Sequence, residues 1–464
     1  KSKVPLKGGG FKPNFSVKFM NIKVKSLEIH FYGANNLDSI PQLSNFSEQE
    51  RLGIKAVAQV LPFRTNNYIL EQLIDWNNIP EDPMFRLTFP HPEMLDSKDY
   101  NHIIQLMTEN VPKAVLKEAA NKIRQQLNPH PAGQKKYNVP TLNGKPIPGI
   151  QHKYRETVLI FPAAGQTCHA YCTFCFRWPQ FVGLEDLKFA TRESGMFQQY
   201  LQQHQEVRDV LLTGGDPMTM KARQLSLYIE PLLEPKFDHI QTIRIGTKSI
   251  SFWPYRYVTD EDADNTLRLF EKIVQRGKHL AIMAHYEHWQ ELDTPVATEA
   301  IRRIRSTGAQ IRTQAPIVRH INDSAETWAK MWQMQVSLGC IPYYIFVERQ
   351  TGAKAYFEIP LVRVFDIYRE AIQQVSGLAR TARGPLMSAL PGKVAIDGVA
   401  EVAGEKVFVL SFLQGREPDW CKRSFFASFN PDATWLNNLK PAFGEDKFFY
   451  ESQLEEILTR QQLF

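Results

Sequence analysis

The chain has 464 residues, a length that exceeds one small domain and allows two or three units or one barrel with extensions. With 43% hydrophobic and 22% charged residues, it has the composition of a soluble globular protein, and no apolar run approaches the roughly 18 residues that span a bilayer. A net charge of +6 is mild for this length, so we expect neither a membrane segment nor a nucleic-acid partner.

The N-terminal third is predicted to hold a basic arm and a helical region. Lysines are frequent in the first 25 residues, without the apolar segment of a secretory signal, so we expect residues 1–46 to form a flexible basic arm. Ser47-Glu48-Gln49-Glu50 has the form of a capping box, and apolar residues then recur at helical spacing. Prolines and glycines in residues 128–151 mark a linker. Residues 47–151 are thus predicted to be a helical region followed by a linker.

Beyond this linker, short apolar runs alternate with amphipathic segments that have helical spacing. The apolar runs are residues 158–161, 210–212, 243–245, 280–285, 309–311 and 341–347. Six strand–helix units in series argue for a parallel sheet and, at this length, for a full or partial barrel. We therefore predict an α/β fold, with a partial (β/α)6 barrel over residues 152–390, a helical N-terminal extension and a small β-containing C-terminal cap over residues 391–464.

Three cysteines, Cys168, Cys172 and Cys175, have C-x3-C-x2-C spacing and follow the first predicted barrel strand. Three thiolates from one short loop can hold three irons of a cubane iron–sulfur cluster and leave the fourth iron without a protein ligand. Zinc sites usually need four protein ligands, and the remaining cysteines, Cys340 and Cys421, are isolated. The low and odd cysteine count disfavours disulfides and indicates a reducing, cytoplasmic compartment.

Other polar residues follow the predicted strands. Gly214-Gly215-Asp216-Pro217 comes after the second strand and His285 ends the fourth, so both are expected at the barrel face that carries the active site. Taken alone, the Gly-Gly-Asp-Pro turn fits a plain strand-to-helix connection, and a lone histidine is more often structural. We expect His169, inside the cysteine loop, to point to solvent rather than to ligate the cluster.

The cysteine spacing, with Phe174 before the last cysteine, and the Gly-Gly-Asp-Pro turn together resemble the radical S-adenosylmethionine superfamily. Within it, the chain resembles lysine 2,3-aminomutase and its relatives from about residue 79 to residue 393. The matching stretches are residues 85–90, 152–154, 211–217, 243–247, 314–323 and 342–345. The resemblance implies that the partial barrel is of the radical S-adenosylmethionine type.

For the site, the resemblance implies a [4Fe-4S] cluster on the three cysteines, whose open iron binds S-adenosylmethionine. One electron then cleaves this cofactor to a 5′-deoxyadenosyl radical, which takes hydrogen from an unactivated C–H bond. The residues implied to bind S-adenosylmethionine are Gly214, Gly215, Asp216, His285 and Gln314.

Pyridoxal phosphate is a second cofactor that the resemblance implies. Lys393 corresponds to the lysine that forms the Schiff base, although its glycine run is shorter than in the family; the alternative is an exposed residue that opens a turn. A lysine amine in an apolar pocket has a lowered pKa, which suits this reaction. Tyr154 is also implied to bind this cofactor. The arginine expected at its phosphate aligns with Thr157, and we expect Lys153 and Arg155 to be close enough to replace it.

The substrate residues match the family only in part. Arg177 corresponds to the arginine that pairs with the substrate α-carboxylate, a task that suits a planar bidentate donor, and we expect Arg177 and Lys393 to be the catalytic residues. The acidic groups that hold the distant ammonium of lysine align at or beside Glu348-Arg349 and at Ala389. If Arg349 lies in the pocket, the distal end of the substrate should be anionic or polar, since buried like charges repel.

The leading hypothesis is therefore an aminomutase-like isomerase that shifts an amino group between the α and β carbons of a small amino-acid-like substrate other than lysine. Its expected partner is a reductant such as flavodoxin or ferredoxin, and a homo-oligomer is allowed. One alternative is radical modification of a protein or peptide residue without pyridoxal phosphate. Another is a noncatalytic iron–sulfur protein that transfers electrons, which would need a fourth cysteine near the loop.

Overall fold

The computed structural model describes residues 24–184 and 188–462. Most lysines of the predicted arm, at positions 1–23, lie outside the described residues. The remainder of the predicted arm, residues 24–46, is packed rather than flexible. It contains strand β1 (Phe31–Gly33) and two 3-10 helices, and Leu37, Ile40 and Leu43 are buried against the helical region that follows. The burial of these apolar side chains holds the segment in place.

The helical region begins as predicted. The hydroxyl of Ser47 accepts a hydrogen bond from the Glu50 amide at 3.2 Å, and the Glu50 carboxylate accepts one from the Ser47 amide at 2.8 Å, which closes a capping box. The helices of this region are α1 (Glu48–Val60), α2 (Pro83–Thr88), α3 (Ser97–Thr108), α4 (Lys113–Gln126) and α5 (Gln134–Tyr137). Strand β2 (Arg64–Asn66) pairs with β1, and the predicted linker contains the hairpin β3 (Thr141–Leu142) and β4 (Lys145–Pro146).

The barrel region alternates strands and helices in the predicted order. Its strands are β5 (Ile150–Tyr154), β6 (Thr157–Ile160), β7 (Asp209–Leu212), β8 (Thr242–Thr247), β9 (His279–His285), β10 (Gln310–Ile317), β11 (Ile341–Val347) and β12 (Arg383–Ser388). Its helices are α6 (Ser194–Gln203), α7 (Ala222–Ile229), α8 (Ser249–Phe252), α9 (Ala263–Gln275), α10 (Pro295–Ser306), α11 (Ala325–Ser337), α12 (Lys354–Phe357) and α13 (Leu361–Gln373). Strands β6 to β12 are parallel, and β5 is antiparallel to β6.

The strands of the C-terminal region continue the same sheet. They are β13 (Gly392–Val402), β14 (Glu405–Gly415) and β15 (Ser424–Ser428), followed by helix α14 (Glu451–Gln462). The sheet has 11 strands in the order β15-β14-β13-β12-β11-β10-β9-β8-β7-β6-β5. Its two ends do not pair with each other, so the barrel is partial, as predicted. The predicted domain boundaries stay a prediction, since strands join one sheet across both ends of residues 152–390.

Side chains alternate along each barrel strand between the helix-covered side and the lumen. In β8, for example, Ile243 and Ile245 are fully buried in the main hydrophobic core, whereas Arg244 and Gly246 line a cavity inside the barrel. This two-residue period follows from the pleat of the strand. The lumen therefore receives polar side chains such as Arg244, while the main hydrophobic core lies between sheet and helices. In residues 24–184 and 188–462, no helix combines the length and apolar character needed to cross a bilayer.

Candidate active site

A cavity of about 320 Å³ lies in the lumen at the carboxyl ends of the parallel strands. With the exception of Arg155, the site residues predicted from the sequence line it. These residues are Cys168, Cys172, Cys175, Tyr154, Arg177, Gly214, Gly215, Asp216, His285, Gln314, Arg349 and Lys393. Parallel strands bring residues that are distant in sequence to one barrel face, and the loops after the strands complete the site.

The three cysteine thiols are free and share one side of the cavity. Burial raises the pKa of each thiol, that of Cys175 to about 11, and at Cys168 the charges of Asp216 and of the other two thiols add to this effect. Three buried thiolates that repel one another need a cationic partner, which is what an iron–sulfur cluster provides. Among the described residues, no three His, Cys, Asp or Glu side chains form a site for a single metal ion.

The N-terminal region holds the cysteine loop from outside the barrel. Arg64 donates from Nη1 to the Thr167 hydroxyl at 2.6 Å and to the Cys168 carbonyl at 3.2 Å. Asn66 donates from Nδ2 to the carbonyls of His169 and Phe252, both at 3.0 Å. The helical extension therefore contributes to the site through backbone anchors, a role that its sequence pattern did not reveal.

The structure corrects the expectation that His169 points to solvent. Its side chain is buried beneath the N-terminal region, and burial, together with the nearby Arg256 and Arg64, lowers the pKa of His169 to about 3. The expectation was wrong because the loop is covered by a segment about a hundred residues earlier in the chain, which local sequence could not show.

The Gly-Gly-Asp-Pro turn packs directly on the cysteine loop. A Cβ atom on Gly215 would lie 2.5 Å from the Thr167 carbonyl oxygen, and the Asp216 amide donates to that same oxygen at 2.7 Å. The Asp216 carboxylate accepts hydrogen bonds from the Thr247 hydroxyl at 2.7 Å and from the Lys248 amide at 2.9 Å. The turn thus ties the end of β7 to the end of β8 and to the loop that carries Cys168.

His285 and Gln314 are joined across neighbouring strands. They face each other in the register of β9 and β10, and their Nε2 atoms are 2.7 Å apart. Because an imidazole and an amide can each donate or accept, this pair presents adaptable polar groups to the cavity.

A buried ionic cluster that the sequence analysis missed adjoins this pair. The amine of Lys248 donates to the carboxylates of Glu287 and Glu291, and Lys248 and Glu287 line the cavity. Burial opposes the charge on Lys248, but the two carboxylates prevail and raise the pKa of its amine. Position in the sequence was the available signal, because Lys248 directly follows β8 and Glu287 lies two residues after the end of β9.

Lys393 lies in β13, with its amine directed into the lumen. Its Nζ donates to Gln414 Oε1 at 2.7 Å and lies 4.7 Å from the centroid of the Tyr344 ring and 5.4 Å from that of Tyr154. Burial, followed by repulsion from Arg244 and Arg383, lowers the pKa of Lys393 to about 7. A substantial neutral fraction near neutral pH suits a lysine that reacts with an aldehyde.

Lys153 and Arg155 were expected to replace the family arginine that binds the phosphate, but only one of them reaches the cavity. Lys153 and Thr157 line the cavity, and Lys153 donates from its amine to the Ala389 carbonyl. Arg155 is exposed in the turn between β5 and β6 and does not line the cavity, so its predicted role is wrong. The alternation of the β-hairpin places Lys153 inward and the turn residue outward.

Two arginines that line the cavity stack on the same aromatic ring. The guanidinium carbons of Arg177 and Arg349 lie 5.0 and 4.3 Å from the centroid of Phe176. Burial and their mutual proximity lower the pKa of Arg177 to about 10, and burial lowers that of Arg349 to about 10. Among the ion pairs of the described residues, neither guanidinium has a carboxylate partner.

Glu348 lines the cavity as well, but it does not offset these charges. It is only 8% exposed, and neither of its carboxylate oxygens has a hydrogen-bond partner. Burial, followed by the nearby Glu358 carboxylate, raises the pKa of Glu348 well above its usual range. Burial in this environment favours the protonated form of a carboxyl group over the anion.

Comparison with known proteins gives relatives over most of the chain. The chain is 30% identical over 418 residues, 89% of its own length and 96% of the relative's, to a protein of Aquifex aeolicus named as a candidate L-lysine 2,3-aminomutase. It is 28% identical over 234 residues to the L-lysine 2,3-aminomutase of Fusobacterium nucleatum, covering 50% of this chain and 52% of that enzyme. For the enzyme of Escherichia coli, the identity is 25% over 251 residues, with 54% of this chain and 69% of that enzyme covered.

Solved structures and family profiles add little to this. A radical SAM methyltransferase from Sphaerobacter thermophilus aligns with a TM-score of 0.35 and 11% identity over 50% of this chain and 68% of that one. No protein-family profile matches the chain.

Proposed function

Because this chain belongs to the lysine 2,3-aminomutase family of radical S-adenosylmethionine enzymes, we propose that it is a 2,3-aminomutase for a small amino acid other than lysine. The side chain of that substrate ends in an anionic or polar group. The observation that carries this proposal is the paired placement of Arg177 and Arg349 against the Phe176 ring in the cavity, with Glu348, whose pKa is raised by burial, beside Arg349.

Electrostatics favours an acidic substrate over lysine. The distal ammonium of a bound lysine would face the Arg349 guanidinium without an opposing carboxylate, since Ala389 stands where the family has an acidic group. Like charges buried together destabilise a complex by several kcal/mol, on the order of 3–5. A distal carboxylate would instead accept charge-assisted hydrogen bonds from Arg349 and a further one from neutral Glu348.

The cofactors assumed by this proposal have suitable residues. Cys168, Cys172 and Cys175 would hold a [4Fe-4S] cluster, and the Gly-Gly-Asp-Pro turn with the His285–Gln314 pair would bind S-adenosylmethionine. When bound, these groups supply the one-electron chemistry that removes hydrogen from an unactivated carbon. The chain itself orients the substrate and keeps water out of the lumen.

The residues of the chain act on the substrate in two places. Arg177 binds the α-carboxylate as a planar bidentate donor, held in position by Phe176 and by its 3.4 Å hydrogen bond to the Thr213 hydroxyl. Lys393 presents a neutral amine, which would hold pyridoxal phosphate, with Lys153 and Tyr154 near its polar end. In this proposal the α-carboxylate of the substrate is held by Arg177 and its amino group lies at Lys393, which leaves Arg349 for the distal end.

The test is anaerobic reconstitution of the protein with iron, sulfide and pyridoxal phosphate, followed by dithionite and S-adenosylmethionine with either glutamate or lysine. We expect a β-amino acid from the acidic substrate, detected by mass spectrometry, because an amino shift returns the abstracted hydrogen to the product. Preferential turnover of lysine would contradict the role of Arg349.

Two matched variants test which residue binds the distal group of the substrate. Arg349→Gln should weaken binding of the acidic amino acid at least about tenfold, because a charge-assisted hydrogen bond contributes roughly 1.5–3 kcal/mol. Glu348→Gln should leave this affinity nearly unchanged, since a neutral amide replaces a neutral acid. Equal losses in both variants would argue against the neutral state of Glu348.

A further inference from the structure

The barrel lumen has a second cavity at its opposite end. This lower mouth, of about 490 Å³, lies at the amino ends of the barrel strands and opens to solvent. Its polar lining comes from lumen-facing positions near the start of six neighbouring strands, β7 to β12: Asp209, Arg244, His279, Arg312, Tyr343 and Arg383. The side-chain alternation that places Arg244 in the lumen also directs Arg312 there, since both precede a residue that is buried on the helix side.

The charges of the lower mouth are not balanced. Asp209 pairs with Arg244, with 2.6 Å between Oδ2 and Nη2 and 2.8 Å between Oδ1 and Nε. Among the ion pairs of the described chain, Arg312 and Arg383 have no carboxylate partner. Arg312 donates one hydrogen bond, from Nη2 to Gln310 Oε1 at 3.0 Å. Two guanidinium groups thus face one cavity without a counter-charge.

An aromatic side chain fixes the position of both groups. The guanidinium carbons of Arg312 and Arg383 lie 5.2 and 4.3 Å from the centroid of the Tyr343 ring. Stacking on an aromatic ring restricts a guanidinium while leaving its edge N–H groups free to donate. Less side-chain entropy is then lost when the two forks close on a ligand, so the donors are preorganised.

We propose that the lower mouth is a binding site for a small oxyanion, a phosphate- or carboxylate-bearing molecule held between Arg312 and Arg383. Planar guanidinium forks match the oxygen spacing of both groups and donate charge-assisted hydrogen bonds to them. His279 faces the same cavity and offers an additional ring N–H. The site is separate from the proposed substrate site, since it lies at the other end of the strands, and it does not depend on any cofactor being bound.

The experiment measures binding of inorganic phosphate and, separately, of succinate to the full chain by isothermal titration calorimetry at constant ionic strength. The lower-mouth variants are Arg312→Gln and Arg383→Gln. The controls are the exposed Arg276→Gln and Lys393→Ala, which lies in the cavity of the candidate active site, called here the upper cavity. We expect wild type, Arg276→Gln and Lys393→Ala to bind alike and both lower-mouth variants to bind at least about tenfold more weakly. The tighter of the two probes identifies the class of oxyanion.

Two results would overturn the proposal. One is the absence of binding of either probe to the wild-type protein. The other is binding that Lys393→Ala abolishes and Arg312→Gln leaves intact, which would assign the anion to the upper cavity. Arg383 begins a strand, so its variant is checked for folding by circular dichroism, and Arg312→Gln provides an independent measurement if it fails to fold.

Discussion

The amine of Lys393 has an unusual set of neighbours. It donates to one neutral acceptor, Gln414 Oε1, lies near two tyrosine rings and is repelled by Arg244 and Arg383. No nearby acidic group outweighs burial, and the pKa of Lys393 consequently falls to about 7. Such a lysine is a nucleophile under physiological conditions, whereas an exposed lysine is almost entirely protonated.

This lowered pKa predicts how covalent capture of pyridoxal phosphate depends on pH. The amine is protonated below its pKa and neutral above it, so the reaction should accelerate as the pH rises through about 7. The measurement is borohydride trapping at a series of pH values, with the labelled peptide identified by mass spectrometry. A midpoint near 10 would show that the amine is not desolvated, and Lys393→Ala should abolish labelling of this peptide.

Single residues differ in how well the sequence predicted them. The cysteines and Lys393 could be found because spacing and a short motif identify them, and the structure brings them to one cavity. His169 and Arg155 were placed wrongly, because burial and exposure in these loops are set by a covering segment and by a hairpin turn. The ion pairs of Lys248 could not be predicted, since they depend on how β8 and β9 align.

At the scale of elements, the N-terminal strand β2 acts as an anchor for the cysteine loop. Asn66 is fully buried, and its amide is the hydrogen-bond donor to two carbonyls on different segments, the loop and α8. Removing this amide would leave both carbonyls without their donor in a buried site, which costs roughly 1–3 kcal/mol.

We therefore predict that Asn66→Ala lowers the free energy of unfolding by about 1–3 kcal/mol and makes the reconstituted cluster more sensitive to oxygen. The exposed Asn77 provides the control, because Asn77→Ala should change stability by no more than about 0.5 kcal/mol. Stability is measured by urea denaturation, and the cluster by the decay of its visible absorbance in air. Identical decay in both variants would exclude an anchoring role for Asn66.

The contact between the glycine turn and the cysteine loop gives a second element-scale prediction. In Gly215→Ala the added Cβ would meet backbone atoms of Thr167 at about 2.5 Å, so the loop must shift. We expect reduced iron content after reconstitution and a destabilisation of about 1–3 kcal/mol. Gly195→Ala, in helix α6 with open space around it, should retain iron and stabilise the helix by about 0.5–1 kcal/mol. Full iron in Gly215→Ala would show that the turn tolerates the shift.

The barrel elements were predictable, but their extent was not. Predicted runs such as residues 243–245 lie inside longer strands, here β8, because the residues that flank the run, Thr242, Gly246 and Thr247, carry no apolar signal. The helices were clearer: helical spacing over residues 296–306 predicts a helix, and α10 spans Pro295–Ser306. Strand ends in a barrel carry the polar site residues, so hydropathy is least informative there.

At the scale of the whole molecule, the C-terminal strands are part of the barrel sheet. Strand β13 pairs with β12 on one side and β14 on the other, and Phe408, Leu410 and Phe412 of β14 are fully buried in the main core. The sequence predicted these strands but not their pairing with the barrel sheet, because the sequence of one strand does not show which strand it pairs with.

Global stability should therefore depend on the C-terminal strands. Phe412→Ala should destabilise the entire protein by about 3–5 kcal/mol, with loss of the barrel and the C-terminal strands in a single transition. Phe443→Ala, at a site that is 43% exposed, should have a much smaller effect. Urea denaturation followed by both fluorescence and far-ultraviolet circular dichroism checks this. Two separated transitions would indicate an independent C-terminal unit.

The guanidinium of Arg244 borders both ends of the lumen, and the ring of Tyr344 lies 4.6 Å from Arg383 and 4.7 Å from Lys393. Only one layer of side chains thus separates solvent at the base of the barrel from the reactive amine. Buffer composition consequently becomes an experimental variable. Assays in phosphate and in zwitterionic buffers need to be compared before any affinity or rate is attributed only to amino-acid binding in the upper cavity.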